Sequence, residues 1–342
     1  MSYFTPQKIL VMRFSALGDV AMTVPVLKAF LKENQGAEIY MLSNRQFEGL
    51  FQGIDRLHFL GADMKGKHKG IAGIWRIYKM VKLAADFSAV ADLHGVLRTH
   101  VLRFLFRFSG KKTAVIDKGR LEKFALTRRD FKIFRPLKHS TERYADVLNE
   151  FLPAAKDALP IVFSPLPSSN TTIHIGFAPF AKHNAKMYNL DKFKEVVRHF
   201  DREPYKLYFF GGTPAERLLI RQWNKEFNNA VAIKENIGLE KELEIIGKLK
   251  VMVSMDSANM HLASLAAIPV VSVWGPTHPY AGFYGVGQNP LNALQLNLAC
   301  RPCSVFGNKS CWRGDHACMT GIEPTAIIEK IQHALSPIEE EL

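Results

Sequence analysis

Short apolar runs of strand length, each released through a turn into a stretch of helical period, recur along most of the chain. Ile9 to Met12 opens the series as a buried strand. The turn Ser15-Ala16-Leu17-Gly18-Asp19 follows, and then Val20, Ala21, Val24, Leu27 and Leu31 fall near helical spacing. Pro25 implies a kink, or a restart of the helix with Thr23 as its N-cap. Further strands are expected at 38–42, 88–93 and 112–116, with helices at 45–52, 74–85, 96–108, 119–129 and 141–151. Strands alternating with helices fold into a mostly parallel sheet.

The alternation stops at residues 163–171, which hold two prolines, four hydroxyl residues and no charge, and which read as a linker. It then restarts. Strands are expected at 172–178, 205–210, 251–254 and 270–274, with helices at 190–200, 213–227, 239–249, 256–266 and 325–335. Two such series in 342 residues predict an α/β protein of two Rossmann-like halves across a cleft, with domains at 1–165 and 172–324. The single Gly18 after the first strand is neither the three-glycine dinucleotide fingerprint nor a P-loop. No apolar run approaches the roughly 18 residues of a membrane span, and Arg13 and Asp19 interrupt any leader-like start. A cytoplasmic location is the expectation.

Charge divides unevenly. Residues 1–165 carry 27 Lys and Arg against 15 Asp and Glu, whereas 166–342 carry 18 against 17. The block 111–143 is the densest, with 11 basic and 4 acidic residues. The N-terminal half is therefore expected to meet a polyanion such as a phosphorylated glycolipid, an anionic membrane face or nucleic acid, or else to be a solvated basic surface. No recognition helix, zinc finger or RNP pattern supports the nucleic acid.

In sheets of this kind ligands sit beyond the carboxyl ends of the strands, and the loops there carry the chemistry. In the first half these loops hold Ser15, Gly18, Asp19, His94, Arg98 and Arg120. Asp19 reads either as a helix cap or as a base. In the second half, Lys182, His183 and Lys186 follow one strand and suit a phosphate. Asp256 and Ser257 open a helix bearing His261 after another, and backbone N–H groups there can take a diphosphate, although capping and packing explain the same residues. Gly212 ends a third strand, and Gly275-Pro276-Thr277 a fourth.

Arg-Phe-Ser-Ala-Leu-Gly-Asp-Val at 13–20 with Thr-Val-Pro at 23–25 resembles the N-terminal motif of glycosyltransferase family 9, the ADP-heptose:lipopolysaccharide heptosyltransferases. Asp256-Ser257-x-x-x-His261-Leu-Ala, Pro269-Val-Val and Gly275-Pro-Thr are similar to its nucleotide motif. Lys186-x-Tyr188 resembles its Lys-x-Trp element, with Tyr in place of Trp, and Ala91 to Arg98 also fits. The resemblance implies a GT-B architecture in which the first domain binds the acceptor and the second the donor. A C-terminal segment, 325–342, would cross back to the first domain. It implies inverting transfer with no cofactor, Asp19 as base, and an ADP-sugar, ADP-L-glycero-D-manno-heptose, held by Lys182, Lys186, Gly212, Asp256, Ser257, His261, Gly275 and Thr277. An anionic lipopolysaccharide-core acceptor at the inner membrane face would meet Ser15, Gly18, His94, Arg98, Arg120, Lys123 and Arg143. A nucleotide-sugar-binding protein that lacks catalysis, or a family member with a different donor and glycan acceptor, is the alternative.

All four cysteines fall in one stretch, spaced C-x2-C-x7-C-x6-C. Cys300 and Cys303 have the spacing of a zinc-ligand pair, but Cys311 and Cys318 form no second short pair. Free thiols packing a loop, a structural zinc and disulfides all remain open readings, and a structural role is expected over a catalytic one.

Overall fold

Parallel pairing needs a long crossover between strands, which the intervening helices supply, and every strand pairing in the described residues is parallel. The computed structural model describes residues 7–153 and 172–336, so the expected linker at 163–171 and the tail from 337 lie outside the described residues. Its strands are β1 (Gln7–Met12), β2 (Ala37–Asn44), β3 (Leu57–Ala62), β4 (Ala89–Asp92) and β5 (Lys112–Val115), then β6 (Ile173–Ala178), β7 (Tyr205–Phe209), β8 (Ala230–Val231), β9 (Val251–Met255), β10 (Val270–Trp274) and β11 (Ala293–Gln295).

The first sheet runs β3-β2-β1-β4-β5, and Ile9 of β1 pairs with Ile39 on one side and Ala89 on the other. The second runs β11-β10-β9-β6-β7-β8. Both are doubly wound, with the strand order reversing between β1 and β4 in one and between β6 and β9 in the other. Strands β3, β8 and β11 were not expected from sequence. They are edge strands, partly exposed and short or polar, so the buried run that betrays a central strand is missing.

The first helix does restart, as Leu17–Ala21 and Thr23–Glu33. Its cap is Met22 rather than Thr23, whose hydroxyl donates to the Val20 carbonyl at 2.7 Å. Residues 7–118 and 138–153, with the short piece 238–240, form one compact unit. The segment 119–137 belongs to the other, which corrects a simple boundary near 165. The cause is local. The Lys132 ammonium donates to the carbonyls of Cys300 and Pro302 at 3.0 Å, Leu137 N–H donates to Tyr280, and the Phe134 ring rests on His278 and Tyr280.

Helix Pro324–Leu335 places Ile327 and Ile331 in the core of the second unit, with Val271 and Val273. The described part of the C-terminal segment groups with the second unit, where its one buried stripe packs.

Candidate functional site

Each sheet gathers polar side chains at the point where its strand order reverses. In the first unit the loops after β1 and β4 meet there. Arg13, at the end of β1, is buried yet charged: burial works against its guanidinium, but Tyr144, Asp19 and Asp92 outweigh it and its pKa is raised. Its Nη1 donates to the Leu93 carbonyl at 2.6 Å and its Nη2 pairs with Asp19 Oδ2 at 2.6 Å. The same Oδ2 accepts the Ala16 N–H at 3.2 Å. Asp19 is therefore not the N-cap, which is Ala16, although its carboxylate does help close the turn. Both contacts fall on one oxygen, and the side chain stays 38% exposed. A carboxylate fixed through one oxygen and still reached by solvent is placed to accept a proton.

His94 stands beside it. Its Nδ1 accepts the Phe14 N–H at 3.4 Å, which puts the ring proton on Nε2, 3.5 Å from Ser15 Oγ. Burial, with Arg13 and Lys118 adding to it, pushes the imidazole down to about 3. The ring is neutral at physiological pH and serves as a hydrogen-bond donor. As pH falls below 6.5 the unfolded chain protonates this histidine while the folded one does not, so folding stability is lost progressively toward pH 3. His94→Gln is expected to flatten that acid limb in denaturant titrations run at several pH values. An unchanged slope would assign the acid lability to other groups.

Gly18 lies buried in the first helical turn and Arg98 half-buried on the helix after β4. The other residues expected on this side are Arg120, Lys123 and Arg143. Arg120 and Lys123 ride on the helix Arg120–Thr127 of the second unit. Arg143 is buried, with Nε on the Lys138 carbonyl at 3.2 Å and Nη1 on the Asp117 carbonyl at 3.3 Å. It clamps the two points where the chain leaves and regains the first unit, a structural task that its sequence neighbourhood did not reveal.

In the second unit the loops after β6 and β9 converge in the same way. Lys186 Nζ donates to the Asp256 carbonyl at 2.6 Å and pairs with its Oδ2 at 3.3 Å. Asp256 thus holds a lysine, and Ser257 is the N-cap of helix Ala258–Leu265, which begins with no side-chain cap. The helix's first N–H groups remain available to an anion. Gly307 is required beside it: its φ is +76°, and a Cβ there would come within 2.4 Å of Lys186 Cγ. Lys182 is exposed in the loop after β6, and His183 is lowered by burial and then by Lys186 and Lys182. His261 is buried on the helix after β9. Tyr188 is core: its hydroxyl donates to the Ile322 carbonyl at 2.8 Å. The Gly212 N–H donates to Glu216 at 2.7 Å in the cap of the next helix.

The loop after β10 rests on a residue not singled out from the sequence. Arg301 is buried, with Nη2 donating to the Trp274 and Thr277 carbonyls at 3.1 and 2.9 Å, Nε to Gly275 and Nη1 to Leu296. Gly275 also leaves room for Met319, whose sulfur would lie 2.5 Å from an added Cβ. Arg301→Leu strands several buried carbonyls and is expected to cost about 3 kcal/mol or more. An unchanged urea midpoint would contradict this. A lone arginine in a loop carries no periodicity, which is why Arg301 escapes a pattern-based reading.

Cys300, Cys303, Cys311 and Cys318 line one cavity of about 20 Å³ and are unpaired. Burial pushes Cys303 up and Cys318 up to about 11, so these thiols stay protonated. Among the described residues no group of three or more His, Cys, Asp or Glu is arranged to hold a metal ion. Nor is any described helix long and apolar enough to cross a membrane.

A family model described as glycosyltransferase family 9 (heptosyltransferase) matches residues 82–310. Lipooligosaccharide heptosyltransferase 2 of Campylobacter jejuni is 30% identical over 179 residues, 51% of this chain and 55% of that protein. The chain thus spans about half the length of that relative. A solved glycosyl transferase family 9 structure from Veillonella parvula matches with a TM-score of 0.74 at 19% identity, covering 96% of this chain and 97% of that one. E. coli heptosyltransferase WaaC with ADP matches with 0.69 at 17%, covering 96% and 100%. At such identities the structures speak to fold.

Proposed function

This chain belongs to glycosyltransferase family 9, and from that premise we propose that it transfers a heptose from ADP-L-glycero-D-manno-heptose to an anionic lipopolysaccharide inner-core acceptor, with inversion, at the inner face of the cytoplasmic membrane. The observation that carries the reading is Asp19, held by Arg13 at 2.6 Å at the reversal point of the first sheet. In an inverting transfer the acceptor oxygen bonds to the anomeric carbon as the bond to the diphosphate breaks. Asp19 would take the hydroxyl proton, and ADP leaves carrying the displaced electron pair. Neutral His94, presenting Nε2–H, suits a hydroxyl oxygen of the acceptor. In the second unit, Lys186, Lys182 and the uncapped helix at Ala258 supply the positive ends that a departing diphosphate requires. An ADP-bound relative of the same fold supports adenosine diphosphate as the donor's carrier.

The test is a panel of nucleotide sugars read by thermal shift and then by transfer to purified core glycolipids at rising salt. ADP-heptose is expected to stabilise the protein, by about 2.7 kcal/mol at 100 times its dissociation constant, and to turn over. The acceptor Michaelis constant should rise as screening shortens from about 10 Å at 0.1 M to about 3 Å at 1 M salt. Preference for a uridine or guanosine carrier would overturn the donor assignment, and binding without turnover would leave a sensor.

A further inference from the structure

Helices Gly70–Ala84 and Leu97–Phe108 both bury one apolar stripe and expose another. The inner stripes are Ile77 and Val81 on the first helix and Leu102 and Phe106 on the second, all in one core against the same face of the first sheet. Two residues away from each buried position, about 200° around the helix, stand large side chains open to solvent. Leu97 is 82% exposed, Phe104 66% and Phe108 87%, with Val101 between them at the same spacing. On the neighbouring helix Ile71 is 87% exposed and Leu83 88%, with half-exposed Trp75 on the same line. Phe104 and Phe108 stack on each other with ring centroids 6.5 Å apart. A fold has no use for this second stripe, because an apolar face turned to water contributes nothing to the core.

The charge around the stripes has one sign. No Asp or Glu occurs between Asp63 and Asp86 or between Asp92 and Asp117. Arg76, Lys79 and Lys82 lie on one helix, and Arg98, Arg103 and Arg107 on the other. Arg76 donates to the Lys67 carbonyl, and Arg103 turns to His100 and Asp92. Lys79 and Lys82 lie over the rings of Trp75 and Tyr78. The second helix starts at the carboxyl end of β4, three residues after His94.

We propose that these two outward stripes form a docking face for an anionic phospholipid surface. A bilayer interface offers an apolar layer beneath a negative one, which matches aromatic and aliphatic stripes flanked by lysine and arginine. A second copy of the chain would set cations against cations with no acidic residue to meet them. A nucleic acid would answer the charge but leave the phenylalanines in water. The inference deepens the part of the proposed function that puts the acceptor in a membrane, by naming the surface that brings the His94 edge of the sheet to it.

The full chain is sedimented with vesicles of phosphatidylcholine alone and of phosphatidylcholine with phosphatidylglycerol, without donor or acceptor. Binding is expected to the anionic vesicles and to weaken with salt. Phe104→Ser with Phe108→Ser should lower partitioning about tenfold or more, and Lys79→Gln with Lys82→Gln and Arg107→Gln should remove the preference for phosphatidylglycerol. Circular dichroism and the ADP thermal shift of both variants should match the wild type. Vesicle binding unchanged by the phenylalanine substitutions overturns the proposal. So does a wild type that ignores vesicles but self-associates through these residues, or that binds RNA equally well with and without them. Because the vesicles carry no sugar chemistry, failure of the transfer reading leaves this result standing, and the reverse holds too.

Discussion

Asp19→Asn is expected to lower sugar transfer by about 10²- to 10⁴-fold, the usual range for loss of a positioned base, while nucleotide affinity stays within a few-fold. The substitution is nearly isosteric, and an amide oxygen can still accept the Ala16 N–H that Asp19 Oδ2 now accepts at 3.2 Å. What disappears is the charge opposite Arg13, and with it the capacity to take a proton. The stability cost is expected to be moderate, because Arg13 keeps its 2.6 Å bond to the Leu93 carbonyl and its position over the Tyr144 ring. The nucleotide-side residues Lys186 and Asp256 belong to the other unit and pair with each other there. Transfer, melting temperature and ADP affinity measured on one preparation separate the roles. Collapse of ADP binding together with the fold would make Asp19 a turn-closing residue. Transfer at the wild-type rate would remove it from the mechanism.

The parts of this architecture legible in sequence are those that physics writes locally. Buried central strands such as Val251–Met255 and Val270–Trp274 are continuous apolar runs because both faces are covered. The loops after β1, β6 and β9 stand out because charge follows such runs directly. Edge strands are less legible: Leu57–Ala62 carries a histidine and a glycine, and pairing rather than burial makes it a strand. Long-range carbonyl contacts are not legible at all. Nothing around Lys132 announces that its ammonium reaches the carbonyl of Cys300, 168 residues on, or that this contact helps carry the segment 119–137 out of the N-terminal unit. Arg143 shows the same limit from the other side. Its charge suggested an acceptor, and the fold sets its guanidinium on the Lys138 and Asp117 carbonyls and the Asp117 carboxylate. Type and position of a cation are sequence properties, but its partner is a tertiary one.

Lys186 poses that question in its sharpest form, because its ammonium already has a partner. The side chains of Lys186 and Asp256 are 12% and 5% exposed, and removing one member of a buried ion pair costs about 3–5 kcal/mol by leaving the other charge unmatched. Lys186→Met is therefore expected to lose stability and ADP affinity together, and alone it cannot say which loss causes the other. Asp256→Asn on the same chain removes the stranded charge. The double variant is expected to recover most of the stability. Its ADP affinity should stay about 10- to 100-fold down, the worth of a charge-assisted hydrogen bond to phosphate, while adenosine binds as before. That split follows if the lysine serves the diphosphate and Asp256 serves to aim it. Recovery of ADP affinity along with stability would mean that the pair only holds the loops after β6 and β9 in place. The diphosphate would then rest on the N–H groups at the start of helix Ala258–Leu265 and on Lys182.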